Sequence, residues 1–211
     1  FYFAPKGAKL CEATEVYTMV YGFIGLGNMA GAILRGMAGS GSFASDTLCG
    51  FNRSPEKTRK LAQEIVLVPC ESAKEVAEKA DVLVLGVKPQ MLPEVLDPIK
   101  DAIHPDKLVV TIAAGKGFSF YASYFGENVP LVRVMPNTPL AVGEGTSLIS
   151  SLFTCTDAEF DFAKSVFAAA GKVAVVEDHV YTPANGISGC GPAFVYAFIE
   201  AMADGGVRYG V

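Results

Sequence analysis

An open, mostly parallel α/β sheet wound on both faces by helices is the fold class this sequence predicts, and three observations predict it. From Met19 onward, short runs rich in Val, Ile and Leu alternate with amphipathic helical patterns, as βαβ units do. The run Val82 to Val87, between Asp81 and Lys88, is apolar without alternation, which marks a strand buried on both faces. The turn Gly25-Leu26-Gly27-Asn28-Met29-Ala30 joins the first apolar run to the first helical stripe and has the Gly-x-Gly-x-x-Ala form. With 211 residues, 51% of them hydrophobic and 18% charged, the chain can bury one full core and part of a second.

The elements follow in order. Residues 1 to 18 lack the periodicity and are set aside as a non-native or disordered leader, with Met19 read as the native start. That leader has no long apolar core of the kind a signal peptide carries. Val20 to Ile24 is the first strand, and the stripe Ile33, Leu34, Met37 places a helix that stops at Gly39-Ser40-Gly41. Thr47 to Phe51 is a strand, Ser54-Pro55 opens a helix to about Glu64 as N-cap and first helical residue, and Val66 to Val68 is a short third strand. Ser72 with Glu75 forms a capping box for a helix to Ala80, and Val82 to Val87 is the sheet's centre. Strands at Leu108 to Ile112, Leu131 to Met135 and Thr146 to Ile149 come next, with a helix near Ser119 to Phe125. Thr156 and Glu159 repeat the capping box before a helix ending at Gly171, and Lys172 to Val176 is the last strand.

Beyond Glu177 the pattern changes to Pro183, Gly186, Gly189, Gly191 and Pro192, and then to a nearly all-apolar helix, Ala193 to Ala203, charged only at Glu200. Such a helix must be covered on every side, by another subunit or by further sequence. The expected organisation is therefore a nucleotide-binding domain over 19–180 and the start of a helical domain over 181–211.

The net charge of −5, with scattered Lys and Arg, offers no basic field for nucleic acid. Cys11, Cys49, Cys70, Cys155 and Cys190 are single and odd in number, and His104 and His179 lie far apart, so neither a disulfide framework nor a metal site is expected; a cytoplasmic location fits. No uninterrupted apolar run reaches the roughly 18 residues a membrane span needs, so no membrane partner is expected.

In the glycine turn, Gly25 allows the tight bend, Gly27 lets a pyrophosphate approach the backbone, and Ala30 permits close helix–strand packing, with helix N–H groups facing the phosphate. At the end of the second strand an acidic residue would select NAD; Asn52-Arg53-Ser54 stands there instead. Arg53 and Ser54 can bind a 2′-phosphate, which favours NADPH over NADH by about tenfold to a hundredfold. Read otherwise, Arg53 is solvated and Ser54 only an N-cap. Val87-Lys88-Pro89, Ala113-Ala114-Gly115 and Met135-Pro136-Asn137 follow successive strands, where open α/β sheets bind ligands. Small residues at Ala113 to Gly115 admit a flat ring; Lys88 is a ribose or carboxylate contact or a solvated strand end, and Asn137 a site residue or a turn residue.

Phe23 to Ala30, Asn52-Arg53-Ser54, Val87-Lys88-Pro89-Gln90, Met135-Pro136-Asn137-Thr138-Pro139 and Ser188-Gly189-Cys190-Gly191-Pro192-Ala193-Phe194, in this order and spacing, resemble the pyrroline-5-carboxylate reductases. The resemblance implies a Rossmann-like doubly wound sheet followed by the beginning of an all-helical dimerisation domain, self-association as a homodimer or ring of dimers, and hydride transfer from NADPH to 1-pyrroline-5-carboxylate, giving L-proline. It implies that Ile24, Gly25, Leu26, Gly27, Asn28 and Met29 hold the pyrophosphate, Arg53 and Ser54, beside Asn52, the 2′-phosphate, and Val87, Lys88, Pro89, Ala113, Ala114 and Asn137 the nicotinamide end. Glu177, Ser188, Gly189 and Cys190 are implied at the substrate. Cys190 and Phe194 depart from the family's usual serine and tyrosine, Gly31 stands where a larger residue is common, and the family continues past the equivalent of Val211 through a substrate-closing loop.

A protonated imine is already electrophilic, so no general acid is assigned. Two other readings remain: a β-hydroxyacid dehydrogenase, whose catalytic lysine has no counterpart because no lysine follows Lys172, and a non-catalytic NADP-binding module. Cys190 reads either as a reactive thiol at a helix start or as a small buried filler.

Overall fold

Strands β1 (Val20–Ile24), β2 (Thr47–Phe51), β3 (Val68–Pro69), β4 (Val82–Leu85), β5 (Leu108–Thr111), β6 (Leu131–Pro136), β7 (Gly145–Ser151) and β8 (Gly171–Val175) form one sheet in the order β3-β2-β1-β4-β5-β6-β7-β8. The computed structural model describes residues 18–152 and 154–211. All neighbouring pairs are parallel except β6 with β7. The chain leaves β1 toward β2 on one side and later returns to β4 on the other, so the carboxyl ends of β1 and β4 flank a topological switch point, where such sheets open a crevice.

Period-two alternation distributes the strands between two cores. Val82 and Val84 of β4 join Phe23, Ile33, Leu34, Met37 and Phe167 on one face; Leu83 and Leu85 join Ile24, Val76, Leu92, Leu96 and Tyr121 on the other. All four β4 residues are buried, as expected of a central strand in a doubly wound sheet. The covering helices are α1 (Asn28–Ser40), α2 (Pro55–Glu64), α3 (Ala73–Lys79), α4 (Leu92–Leu96), α5 (Phe118–Phe125) and α6 (Asp157–Ala168). Helix α1 stops where the glycines predict, with Gly41 at φ 73°.

Several local expectations are corrected. The third strand is Val68–Pro69 and not Val66 to Val68; Val66 is 90% exposed, so its β-branch served no core. Ser54 occupies the N-cap of α2 without a capping side-chain bond. Ser72 does accept from Glu75 N, but Glu75 Oε2 accepts from Glu71 N, one residue before the expected partner. At α6 the box is complete, with Thr156 Oγ1 accepting from Glu159 N and Glu159 Oε2 accepting from Thr156 N. Thr156→Ala is expected to cost about 1 kcal/mol in urea unfolding, with the slope unchanged.

The largest difference lies after β8. The Pro- and Gly-rich stretch forms α7 (Asp178–Ser188), a two-residue turn, and α8 (Gly191–Arg208), longer at both ends than Ala193 to Ala203. Helix α7 continues across Pro183, which loses its bond to the His179 carbonyl at an exposed position, while Tyr181 is buried against the sheet. No α8 residue is buried, and Phe194, Phe198 and Met202 stand 70%, 66% and 62% exposed. By length and composition 178–208 would also cross a membrane, with mean hydropathy 1.2 over its most apolar window. Reading uninterrupted runs missed this because Thr182, Pro183, Asn185 and Ser188 break the apolar run, whereas an averaged hydropathy tolerates such breaks.

Candidate cofactor and substrate site

Gly25 sits at φ 91°, and a Cβ there would lie 2.7 Å from Val87 Cγ1 and 2.8 Å from Gly86 C. Only glycine fits this bend. The loop is pinned on both sides: Gly25 N donates to Phe51 O (2.9 Å), Gly86 N to Ile24 O (2.8 Å), and Leu26 N to Asn52 Oδ1 (3.1 Å). Asn52 thus braces the glycine turn against the end of β2, and its Nδ2 donates to Ser54 O. Its amide is committed to the protein's own backbone.

Gly27 differs from Gly25. It is the N-cap of α1 in extended conformation, no side chain caps the helix there, and an added Cβ would meet nothing within 4 Å. Open space therefore faces the free N–H groups of a 13-residue helix whose first turn has no acidic residue, which fits a pyrophosphate. Asn28 is exposed, Met29 half-buried, and Ala30 packs against Gly86, where a Cβ would come within 3.1 Å of Ala30 Cβ and 2.6 Å of Gly25 O. Gly86 was missed in the sequence; a glycine at the end of an otherwise branched apolar strand was its signal.

Arg53 is exposed and Ser54 half-buried, side by side where β2 ends. Neither Arg53 nor the Ser54 hydroxyl has a protein partner among the described residues. At the end of β4, Val87 presses on Gly25, Lys88 is exposed, and Pro89 begins a single 3-10 turn, Pro89–Met91, closed by Met91 N donating to Lys88 O. Ala113 N donates to Thr111 Oγ1 (3.3 Å), which shares a 2.6 Å bond with Tyr121 Oη, and Ala114 is exposed beside it. Burial raises the Tyr121 phenol above its ordinary range. These groups line the carboxyl ends of β1, β2, β4 and β5 as the sequence predicted.

Asn137 is more than a turn residue. Its Oδ1 accepts from Thr146 N (2.8 Å) and its Nδ2 donates to Ser188 O (3.0 Å), so it brings the end of α7 to the end of β6. Ser188 ends α7 at this rim, and Gly189 and Cys190 follow it. Glu177 does not join them: β8 runs antiparallel to β6, so Glu177 caps the far end of α7, about 16 Å away along an 11-residue helix, with its carboxylate near His179. Cys190 is exposed and is no buried filler in this chain. Burial pushes the Cys49 and Cys155 thiols up to about 12, so both are protonated at neutral pH, and Cys11 lies outside the described residues.

Arg133 on β6 carried no sequence signal beyond a charge inside an apolar run. It is buried, paired with Asp178, and lies between the Phe118 and Tyr181 rings.

Residues 20–115 match the family model described as NADP oxidoreductase coenzyme F420-dependent, and residues 178–211 match pyrroline-5-carboxylate reductase dimerisation. The pyrroline-5-carboxylate reductase of Escherichia coli is 36% identical over 190 residues, covering 90% of this chain and 71% of the relative. The chain belongs to the pyrroline-5-carboxylate reductase family. The Arabidopsis thaliana reductase is 33% identical over 90% of the chain and 68% of its own length. Among solved structures, the Plasmodium falciparum pyrroline carboxylate reductase with NADP bound has a TM-score of 0.79 at 30% identity, covering 92% of this chain and 71% of that one. The Coxiella burnetii reductase has a TM-score of 0.83 at 28% identity, covering 92% and 72%. A Mycobacterium tuberculosis 3-hydroxyisobutyrate dehydrogenase, at 15% identity and TM-score 0.64, shares the fold alone. The reductase family thus displaces the hydroxyacid dehydrogenase reading. The dimerisation model over 178–211, a stretch that includes α8, supports self-association.

Proposed function

We propose that the protein reduces 1-pyrroline-5-carboxylate to L-proline with NADPH, the last step of proline biosynthesis. The observation that carries this reading is the Asn137–Ser188 hydrogen bond, because it joins the end of α7 to the end of β6, whose neighbour β5 leads into Ala113 and Ala114. The open space before Gly27 fits the pyrophosphate, Arg53 and Ser54 the 2′-phosphate, and Val87, Lys88, Ala113, Ala114 and Asn137 the nicotinamide end. When bound, the nicotinamide supplies a hydride to the imine carbon. The chain's own residues bind and orient: small side chains at Ala113 and Ala114 leave room for a flat ring, and the Gly191 N–H that opens α8 can donate to the substrate carboxylate, Pro192 having none and Ala193 N donating to Cys190 O. Because the protonated imine is electrophilic, positioning and exclusion of water are the protein's main contributions.

We place residues 178–211 at the opening of a dimerisation domain, with a homodimer, or a ring built from it, as the working assembly. A cytoplasmic location matches the cysteine usage.

The decisive assay follows NADPH oxidation by absorbance with and without 1-pyrroline-5-carboxylate, using the full-length enzyme. Imine-dependent oxidation yielding proline is expected; NADPH binding without imine-dependent turnover would leave only a nucleotide-binding module. Arg53→Ala tests the 2′-phosphate contact: the NADPH dissociation constant is expected to rise about tenfold to a hundredfold while that for NADH stays as it was. Equal losses for both cofactors would place Arg53 elsewhere.

A further inference from the structure

Arg133 is an expensive residue to bury. Its side chain is 11% exposed, and its guanidinium lies 5.2 Å from the Phe118 ring centroid and 4.3 Å from that of Tyr181, while Nη1 donates to Asp178 Oδ1. Apolar groups of similar volume would fill such a site with equal or better stability, so a buried guanidinium points to geometry as its use. A planar fork between two rings, tied to one carboxylate, fixes both the distance and the angle of what it holds. What it holds is α7: Asp178 opens that helix and Tyr181 is its buried residue, whereas Phe118 belongs to α5 and Arg133 itself to β6.

Two further contacts connect this clamp to the site. Arg133 is the cross-strand partner of Thr111, whose Oγ1 accepts from Ala113 N and bonds Tyr121 Oη. At the other end of α7, the Ser188 carbonyl accepts from Asn137 four residues beyond Arg133 on the same chain segment. Helix α7 is therefore held at its start by Arg133 and at its end by Asn137.

We propose that Arg133 is a positioning residue for the reaction: by tying α7, which packs on β7, to β6 it fixes the angle of that helix and sets where Ser188, Gly189 and Cys190 stand relative to Ala113 and Asn137. The proposal rests on the imine-reductase reading of that rim. The nicotinamide end borders this clamp, but the pyrophosphate cradle between β1 and α1 lies two strands away from β5 and Arg53 lies beyond it at the end of β2, so the charged contacts that carry most of the cofactor's affinity stand outside the clamp, and substrate handling and cofactor binding respond differently to its loss.

The test compares Arg133→Met and Arg133→Lys with wild type in the full-length enzyme, reading the imine KM, kcat, NADPH affinity by fluorescence titration, and thermal midpoint. Arg133→Met is expected to lower kcat/KM for the imine by about 10- to 100-fold, the effect of a misplacement of about 1 Å, with NADPH affinity unchanged. Arg133→Lys recovers part of that loss, since it keeps the Asp178 pair but not the flat stacking. Unaltered imine kinetics in Arg133→Met would overturn the proposal, and so would imine and NADPH defects that fall together with stability. If Arg133→Met does not fold, Arg133→Lys decides: wild-type imine kinetics overturn the proposal, and a selective imine defect upholds it. A wild-type enzyme that binds NADPH but leaves the imine unreduced would fail the functional reading itself, before any variant is compared.

Discussion

Gly27→Thr is expected to fold like the wild type and to lose most of its affinity for NADPH. Threonine ranks with glycine as an N-cap, and the backbone at Gly27, φ −75° and ψ −177°, is extended and open to any residue. Space is available too, since nothing lies within 4 Å of the new Cβ. The thermal midpoint should therefore stay within a few degrees of wild type. The new side chain, however, fills the volume before α1, and its hydroxyl competes for the N–H donors that a pyrophosphate needs. Hydrogen bonds to charged groups contribute about 1.5 to 3 kcal/mol each, so losing one or two raises the NADPH dissociation constant by about a hundredfold. Fluorescence titration reads the affinity and calorimetry the stability; tight binding by Gly27→Thr would remove the pyrophosphate from this position. Gly25→Ala behaves differently. Its Cβ meets Val87 and Gly86 at 2.7 to 2.8 Å in a left-handed backbone, so stability and NADPH binding are lost together.

Phe198→Asp, on the exposed face of α8, is expected to dissociate the assembly. Phe198 is 66% exposed in the isolated chain, with Phe194 and Met202 four residues to either side on the same stripe. Burying one such side chain stabilises by about 1.5 to 3 kcal/mol, and a two-fold interface counts the change twice. The loss of about 3 to 6 kcal/mol corresponds to roughly a hundredfold to ten-thousandfold weaker association, before the cost of burying two carboxylates. Sedimentation should show monomer at concentrations where the wild type is assembled. NADPH binding should persist, because Gly25 and Gly27 lie in the turn between β1 and α1 and Arg53 just after β2, far from α8 in the element order. An unchanged sedimentation coefficient would show that α8 buries this stripe elsewhere.

The failures of sequence reading have specific physical causes. The strands other than β3, with α1, α2, α3, α5 and α6, were legible because period 2 and period 3.6 imprint directly on apolar spacing. The short helix α4, Leu92–Leu96, and the 3-10 turns near Pro89 and Lys100 were not, because so few residues hold no full period. Helix α7 was hidden by Pro183, Gly186 and Gly189, whose local preferences were overruled by Tyr181 packing, the Arg133–Asp178 pair and the Asn137–Ser188 bond. Asn52 was grouped with the cofactor contacts by its neighbours Arg53 and Ser54; its role as a brace depends on Leu26 N, 26 residues away.

By itself the sequence determined the doubly wound sheet, the glycine turn at Gly25 to Ala30, the basic residue Arg53 where an acidic one would select NAD, and the apolar character of α8, since each depends on residues close in the chain. Only the tertiary structure decided that Asn137 meets Ser188, that Glu177 stands at the opposite end of α7, and that Arg133 clamps the helix between them. These contacts join residues 45 to 51 positions apart across an antiparallel reversal, and no local spacing records which side chains such a crossing brings together.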